Sequence, residues 1–304
     1  MKKYMTAVSI LLFMGGSMLL SALYLCGEPF DNEIFSREEI RFDSGHFKIV
    51  GDLHIPYPGK KQLAIIFVHG DGPARRRPSG EPNQIMSHFL EIGFACLFYD
   101  KPGYGESTGE FTRGKLFKER ASILVDAVRV LKNHPAIDPK KIGLWGISQA
   151  GWVMPKGVAN SDDIAFMIAI SCAGTDGVEQ SAYLVEQQIL CDGYSEAEAK
   201  KARQYYRQRA HAKTYQEYLE AAEYLNKNQV VSSFLNWGRI LPEDKFSPST
   251  PSDEGFFNPM MLIGKMTIPV LAIFGEKDTQ VDPFQAFEAY QKALKKAGNP
   301  LNTV

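Results

Sequence analysis

Three short stretches hold the residues whose types and spacing suit covalent chemistry. Gly146-Ile147-Ser148-Gln149-Ala150-Gly151 follows the apolar run 141–145 and precedes a helical pattern. A serine on a sharp strand-to-helix turn has a strained backbone and an exposed hydroxyl, as a nucleophile requires. Small residues two before and two after it let strand and helix approach without clashing. Gly146 and Ala150 meet that demand, with Ala standing where the G-x-S-x-G pattern has its second Gly. Val68-His69-Gly70-Asp71-Gly72-Pro73 ends an earlier apolar run. An acyl-transfer site needs two N–H donors for its oxyanion, and the N–H groups of Asp71 and Gln149 are the ones expected. Gly70 and Gly72 let that turn form, and His69 reads as a structural member of it, since it precedes the serine in the wrong loop for a base. Ile273-Phe274-Gly275-Glu276-Lys277-Asp278 ends the last visible strand. A carboxylate there, one strand end beyond the serine turn, orients a catalytic imidazole; Asp278 is the best placed, ahead of Asp282 and Glu276.

The elements that must position these residues are read from hydrophobic periodicity. Residues 46–55 alternate, with Phe47, Ile49, Leu53 and Ile55 on one face and His46, Lys48, Asp52 and His54 on the other, which predicts a half-buried antiparallel strand. Continuous apolar runs predict strands covered on both faces at 63–68 and 94–99, and further strands follow at 141–145, 164–171 and 268–274. Helices are expected at 85–92, at 116–133, where Phe117, Ala121, Leu124, Val125, Val128 and Leu131 form a stripe, and at 150–159. Such alternation predicts a doubly wound, mostly parallel α/β sheet.

Residues 176–258 interrupt that rhythm with no convincing strand. Ser195-Glu196-Ala197-Glu198 and Thr214-Tyr215-Gln216-Glu217 have capping-box form and predict helices at 196–211 and 215–227, while 241–255 reads as a loop. A helical cap over the carboxyl edge of the sheet is the simplest arrangement. Its tyrosines read mostly as helix packing. Beyond Asp278, the spacing of Phe284, Phe287, Tyr290 and Leu294 predicts one more helix, leaving 298–304 too short for a strand plus a loop.

At 304 residues, 44% hydrophobic and 23% charged, the chain has ordinary globular composition. Lys+Arg 34 against Asp+Glu 35 gives a net charge of −1, which offers no global field for nucleic acid. A small-molecule ester or a short peptide is the expected partner. Residues 1–27 stand apart: Lys2 and Lys3 precede an apolar run over 5–26, the pattern of an uncleaved membrane anchor or an export signal. The remaining residues, 28–304, would then face an extracytoplasmic compartment. Cys96 and Cys172 lie in apolar runs and read as small hydrophobes, and Cys191 completes the set after Cys26. No metal-ligand spacing and no dinucleotide loop appears, so neither metal nor cofactor is expected. Arg75-Arg76-Arg77 reads as a solvated loop or, if functional, as a clasp for a substrate carboxylate or phosphate near the site mouth.

The H-G-D-G turn, Asp100-Lys101-Pro102-Gly103-Tyr104-Gly105-Glu106-Ser107, G-I-S-Q-A-G and G-E-K-D together resemble the α/β-hydrolase superfamily, in its branch of serine esterases and peptidase-like hydrolases with a helical cap. The resemblance runs from about residue 40 to the end. It implies a Ser148 nucleophile, an Asp278 acid, an oxyanion hole from Asp71 and Gln149, and a structural Asp100. It also implies a histidine after one further strand, and here the chain departs from the pattern: its last histidine is His211. The base is therefore expected beyond residue 304. The alternatives are a degenerate, non-catalytic binding protein and a serine peptidase of the same fold.

Overall fold

Long runs of apolar side chains cannot alternate between water and core, so they force strands to be covered on both faces. The computed structural model describes residues 35–76, 84–110, 116–227, 240–250 and 254–304. In it, β1 (Ser36–Ser44), β2 (Phe47–Ile55), β3 (Gln62–Val68), β4 (Phe94–Tyr99), β5 (Ile137–Ile147), β6 (Ile164–Ile170) and β7 (Val270–Ile273) form one sheet. Its order is β1-β2-β4-β3-β5-β6-β7. The β1–β2 and β2–β4 pairings are antiparallel, and those from β4 through β3, β5 and β6 to β7 are parallel.

Helices α1 (Gln84–Glu91), α2 (Leu116–Lys132), α3 (Ala150–Ala159) and α8 (Pro283–Ala297) flank the sheet. Alternate residues of β3 show both faces in use. Ala64, Ile66 and Val68 join the cluster with Ala121, Leu124 and Val128 of α2. Ile65 and Phe67 join the one with Met86 and Leu90 of α1. This is the doubly wound α/β architecture expected.

Three features differ from expectation. First, β1 was not foreseen, because its charged residues hide the half-buried Ile40 and Phe42 that pack on the core. Second, β2 lies between β1 and β4 and is buried from Ile49 onward, so of its polar face His46 and Lys48 meet solvent while Asp52 and His54 do not. Asp52 is instead 3.4 Å from the guanidinium of Arg76, and His54 packs its ring on Phe35. Third, residues 302–304 add to the sheet without a full strand. Thr303 N donates to Val270 O and its carbonyl accepts from Ala272 N, both at 2.9 Å, covering the outer side of β7.

Between β6 and β7 stand α4 (Gly177–Cys191), α5 (Glu196–His211), α6 (Tyr215–Lys227) and the one-turn α7 (Met260–Ile263). Asp176 starts α4 by accepting from the N–H groups of Val178 and Glu179 at 3.0 and 2.9 Å. Both foreseen capping boxes form, Ser195 with Glu198 and Thr214 with Glu217. Val178, Ala182, Val185 and Ile189 of α4 bury against Ala199, Ala202, Tyr206 and Leu225, so the three long helices have their own core. Glu254 ties the returning chain to the α/β unit, its two carboxylate oxygens accepting from Phe117 N and Lys118 N at 2.7 Å each. Among the described residues no helix is long and apolar enough to cross a membrane, and the apolar run 5–26 lies outside them.

Candidate active site

Ser148 sits where β5 turns into α3, at φ +55°. Apart from Ser171, at φ +43°, it is the only non-glycine residue at positive φ among those described. A serine pays for that conformation in strain, and strain of this kind gathers at functional sites because it aims a side chain outward. The cause is local. A Cβ on Gly146 would stand 2.6 Å from the Cβ of Ala150, so strand and helix are in contact two residues either side of the serine. Ser148 N donates to Ile170 O at 3.1 Å, which anchors the turn to the end of β6. Ser148 and Gln149 are half-buried and open to a reactant.

The His69-Gly70-Asp71-Gly72 turn lies directly against this serine. A Cβ on Gly70 would be 3.3 Å from Ile147 O and 3.5 Å from Ser148 Cβ. The side chains of the two residues expected to donate their N–H groups also meet, Gln149 Nε2 donating to Asp71 Oδ1 at 2.9 Å. Gln149 opens α3 with no side-chain cap; within the first turn Gly151 N and Trp152 N donate to Ser148 O and Gln149 O at 3.0 and 3.2 Å.

Two cations hold the turn from beneath. Lys101 Nζ donates to Gly70 O at 2.7 Å and Gly72 O at 2.6 Å. Arg120 donates to His69 O through Nη2 and to Gln149 Oε1 through Nη1, the latter at 2.5 Å. Burial, with Arg120 close by, pulls the pKa of Lys101 down to about 7, and burial lowers that of Arg120. The ring of His69 faces Tyr99 O at 2.6 Å; a carbonyl only accepts, so Nε2 carries the proton. Burial drives this imidazole's pKa down to about 4, helped by the charges of Arg120 and Lys101 and opposed by the Tyr99 hydrogen bond. His69 is a neutral structural member of the turn.

Asp278 follows β7. It lies two strands along from β5 rather than one strand end beyond it, because β6 intervenes. Its Oδ1 accepts from Gln280 N at 2.8 Å and Val281 N at 3.0 Å, which fixes the carboxylate. Helix α4 reaches this loop: Tyr183 Oη donates to Asp278 O at 3.0 Å, and Gln180 Nε2 donates to Gln280 O. Asp282, the weaker acid, caps α8 by accepting from Gln285 N at 3.0 Å. Glu276 is exposed.

Residues 45–301 match the pattern of the family described as X-Pro dipeptidyl-peptidase (S15 family). The chain belongs to the S15 family. That family lies within the α/β-hydrolase superfamily, in agreement with the sheet order and the resemblance of the motifs. Relatives include the quorum-quenching protein AidA of Acinetobacter baumannii, 26% identical over 51% of this chain. The thiohydrolase aneE of Aspergillus aculeatus is 38% identical over 40% of it. The matched parts are 50% and 37% of those proteins' own lengths. An esterase of Pyrococcus furiosus superposes with a TM-score of 0.58 at 17% identity, covering 88% of this chain and 80% of its own, which shows a shared fold.

Three further residues support the site of this S15-family chain, and the sequence reading missed their roles. Arg120 interrupts the core-facing stripe between Phe117 and Leu124, and a cation at that spacing was the available signal. Lys101 sits inside the Asp100 motif. Arg76 departs from the reading of the arginine triplet as a solvated loop or substrate clasp, whereas Arg75 is exposed. The Arg76 side chain is only 6% exposed and pairs with Asp52, Asp100, Glu39 and Glu106. Arg77 lies outside the described residues. Asp100 is structural, accepting from Arg76 N at 2.6 Å and Glu106 N at 3.0 Å. Gly105, at φ +56°, passes so close that a Cβ would fall 2.2 Å from the Asp100 carboxyl.

The other reactive groups point away from this chemistry. Burial raises the Cys172 thiol to about 12, so it is no nucleophile. His211 packs its ring on Phe256, His134 pairs with Glu38, and His88 stands 4.0 Å from Glu91. Among the described residues no three His, Cys, Asp or Glu side chains gather as metal ligands would.

Proposed function

We propose that this S15-family chain is a serine hydrolase of carboxylic esters, thioesters or small amides that forms an acyl-enzyme on Ser148. The observation that carries this reading is the φ of +55° at Ser148, on a turn that presses against the H-G-D-G backbone. In this scheme Ser148 Oγ attacks the carbonyl carbon, and the N–H groups of Asp71 and Gln149 receive the oxyanion. Asp278, fixed by two backbone N–H groups, orients the imidazolium of a histidine base that takes the serine proton and returns it to the leaving group. An esterase, a thiohydrolase and a peptidase family among the similar proteins all cleave at a carbonyl, which supports the same class here.

The test is turnover of a short-chain activated ester, in the 304-residue chain and in any longer product of its reading frame. Ser148→Ala should lower kcat on the order of 10⁶-fold with folding intact. Near-normal turnover in that variant removes Ser148 from the mechanism.

A second reading, a binding protein that keeps the fold without turnover, draws on the histidines. His69 is locked neutral on Tyr99 O and His211 is stacked on Phe256, so neither is poised as the base. A folded, inert protein that binds an ester analogue reversibly without covalent labelling would decide for it.

The run 5–26 is proposed to anchor the chain, with Lys2 and Lys3 on the cytoplasmic side and the sheet domain outside. Protease access to the domain from outside intact cells tests this, and recovery wholly in the cytosol overturns it.

A further inference from the structure

The H-G-D-G turn presents three carbonyls to two buried cations, and that geometry determines where its N–H groups point. Lys101 is 1% exposed and Arg120 5%. Arg120 holds His69 O, and Lys101 holds Gly70 O and Gly72 O at 2.7 and 2.6 Å. In a planar trans peptide the N–H lies opposite the carbonyl. With the carbonyls of His69 and Gly70 drawn toward the cations, the N–H groups of Gly70 and Asp71 face the opposite way. The peptide joining Gly72 to Pro73 has no N–H, so the second bond from Lys101 misdirects no donor.

The same cations connect the two halves of the expected oxyanion hole. Arg120 grips Gln149 Oε1 at 2.5 Å, and Gln149 Nε2 grips Asp71 Oδ1 at 2.9 Å. One guanidinium thereby fixes both residues whose N–H groups would receive the charge. Neutral side chains could brace a turn at lower cost, since burying cations is expensive. Two positive charges beneath a row of N–H groups do more: in a low-dielectric site they favour negative charge above the turn.

We propose that Lys101 and Arg120 are positioning residues, which pre-set the turn's N–H groups for an oxyanion formed at Ser148 and place positive charge beneath the turn before a substrate arrives. The inference rests on the acyl-enzyme reading of Ser148. The lowered pKa of Lys101 agrees with an ammonium held in place at a desolvation cost.

Two measurements on the intact chain test it. The first needs no substrate: the backbone amide NMR signals of Gly70, Asp71 and Gly72 should broaden or split in Lys101→Met, with those of β3 and β5 in place. Unchanged signals at the turn overturn the clamp. The second is the rate at which a fluorophosphonate labels Ser148, together with kcat and KM for a short activated ester. Lys101→Met should lose about 10²-fold in labelling and in kcat with KM little changed, and Lys101→Arg should recover part of the loss. Broadened turn signals with labelling at the wild-type rate overturn the positioning role. A wild-type chain whose turn gives sharp, single signals but whose Ser148 never labels sinks the acyl-enzyme reading, and the oxyanion role with it. If Lys101→Met loses its cooperative unfolding transition, Lys101→Gln is read in the same two ways.

Discussion

Gly146 and Ala150 meet so closely that a Cβ on Gly146 would lie 2.6 Å from the Cβ of Ala150, with Met154 Sδ at 2.7 Å on the same side. The Ala150 Cβ is fixed to helix backbone, so the strand or the helix must move to admit even one methyl. Gly146→Ala should therefore destabilise the chain by about 1–3 kcal/mol and displace Ser148. Ala150→Gly, which restores the usual small residue, should cost only about 0.5–1 kcal/mol. Urea unfolding of the two variants checks the asymmetry. A Gly146→Ala protein as stable as the wild type would mean that the contact has slack.

The strain at Ser148 gives a second prediction. At φ +55° a side chain costs about 1–3 kcal/mol that glycine escapes, partly offset by glycine's greater freedom in the unfolded chain. Ser148→Gly should thus be inactive yet more stable, by about 1 kcal/mol, while Ser148→Ala is inactive and keeps the strain. Melting temperatures of the pair should differ by about 2 °C. If both variants melt together, the backbone at this turn is relaxed.

Much of this arrangement was legible in the sequence because it is local. The unbroken apolar runs of β3 and β4 define the sheet, and the serine turn is specified within six residues. What could not be read is non-local. Arg76 finds carboxylates at Glu39, Asp52, Asp100 and Glu106, and no spacing in sequence links those five residues. The same is true of β2, whose Asp52 and His54 read as a wet face until β1 and Arg76 cover them. The grip of Lys101 on Gly70 and Gly72 spans about thirty residues, and only folding brings them together.

Arg76 carries the third prediction. Its guanidinium faces Asp52 and Asp100, which are 0% and 2% exposed. Arg76→Met keeps most of the packing volume but takes the cation from two buried carboxylates, an imbalance that costs about 3–5 kcal/mol. Arg76→Lys should recover little, since a single ammonium cannot span several carboxylates as a planar fork does. Denaturant midpoints measure both. A loss near zero for Arg76→Met would show that the carboxylates are satisfied without it.

The last prediction concerns pH and His69. Its imidazole has a folded-state pKa of about 4, below the ordinary 6.5, because burial and the nearby charges of Arg120 and Lys101 disfavour the protonated ring. Between those two values the unfolded chain binds a proton there that the folded chain does not. Unfolding is then linked to proton uptake, so stability is full above about pH 6.5, falls as the pH drops toward 4, and stays reduced below it. The lowered pKa of Lys101 adds a slope of the same sign, but between about 7 and 10.5, so the two windows separate. Carboxylates begin to titrate below about pH 5, which leaves pH 6.5 to 5 as the range where His69 stands out. Urea midpoints across that range should slope in the wild type and flatten in His69→Gln. The ring's NMR signals should hold their neutral positions down to about pH 5. A ring that titrates near 6.5, or an equal slope in the variant, would show that the turn tolerates a charged His69 and that its cations do not crowd the ring.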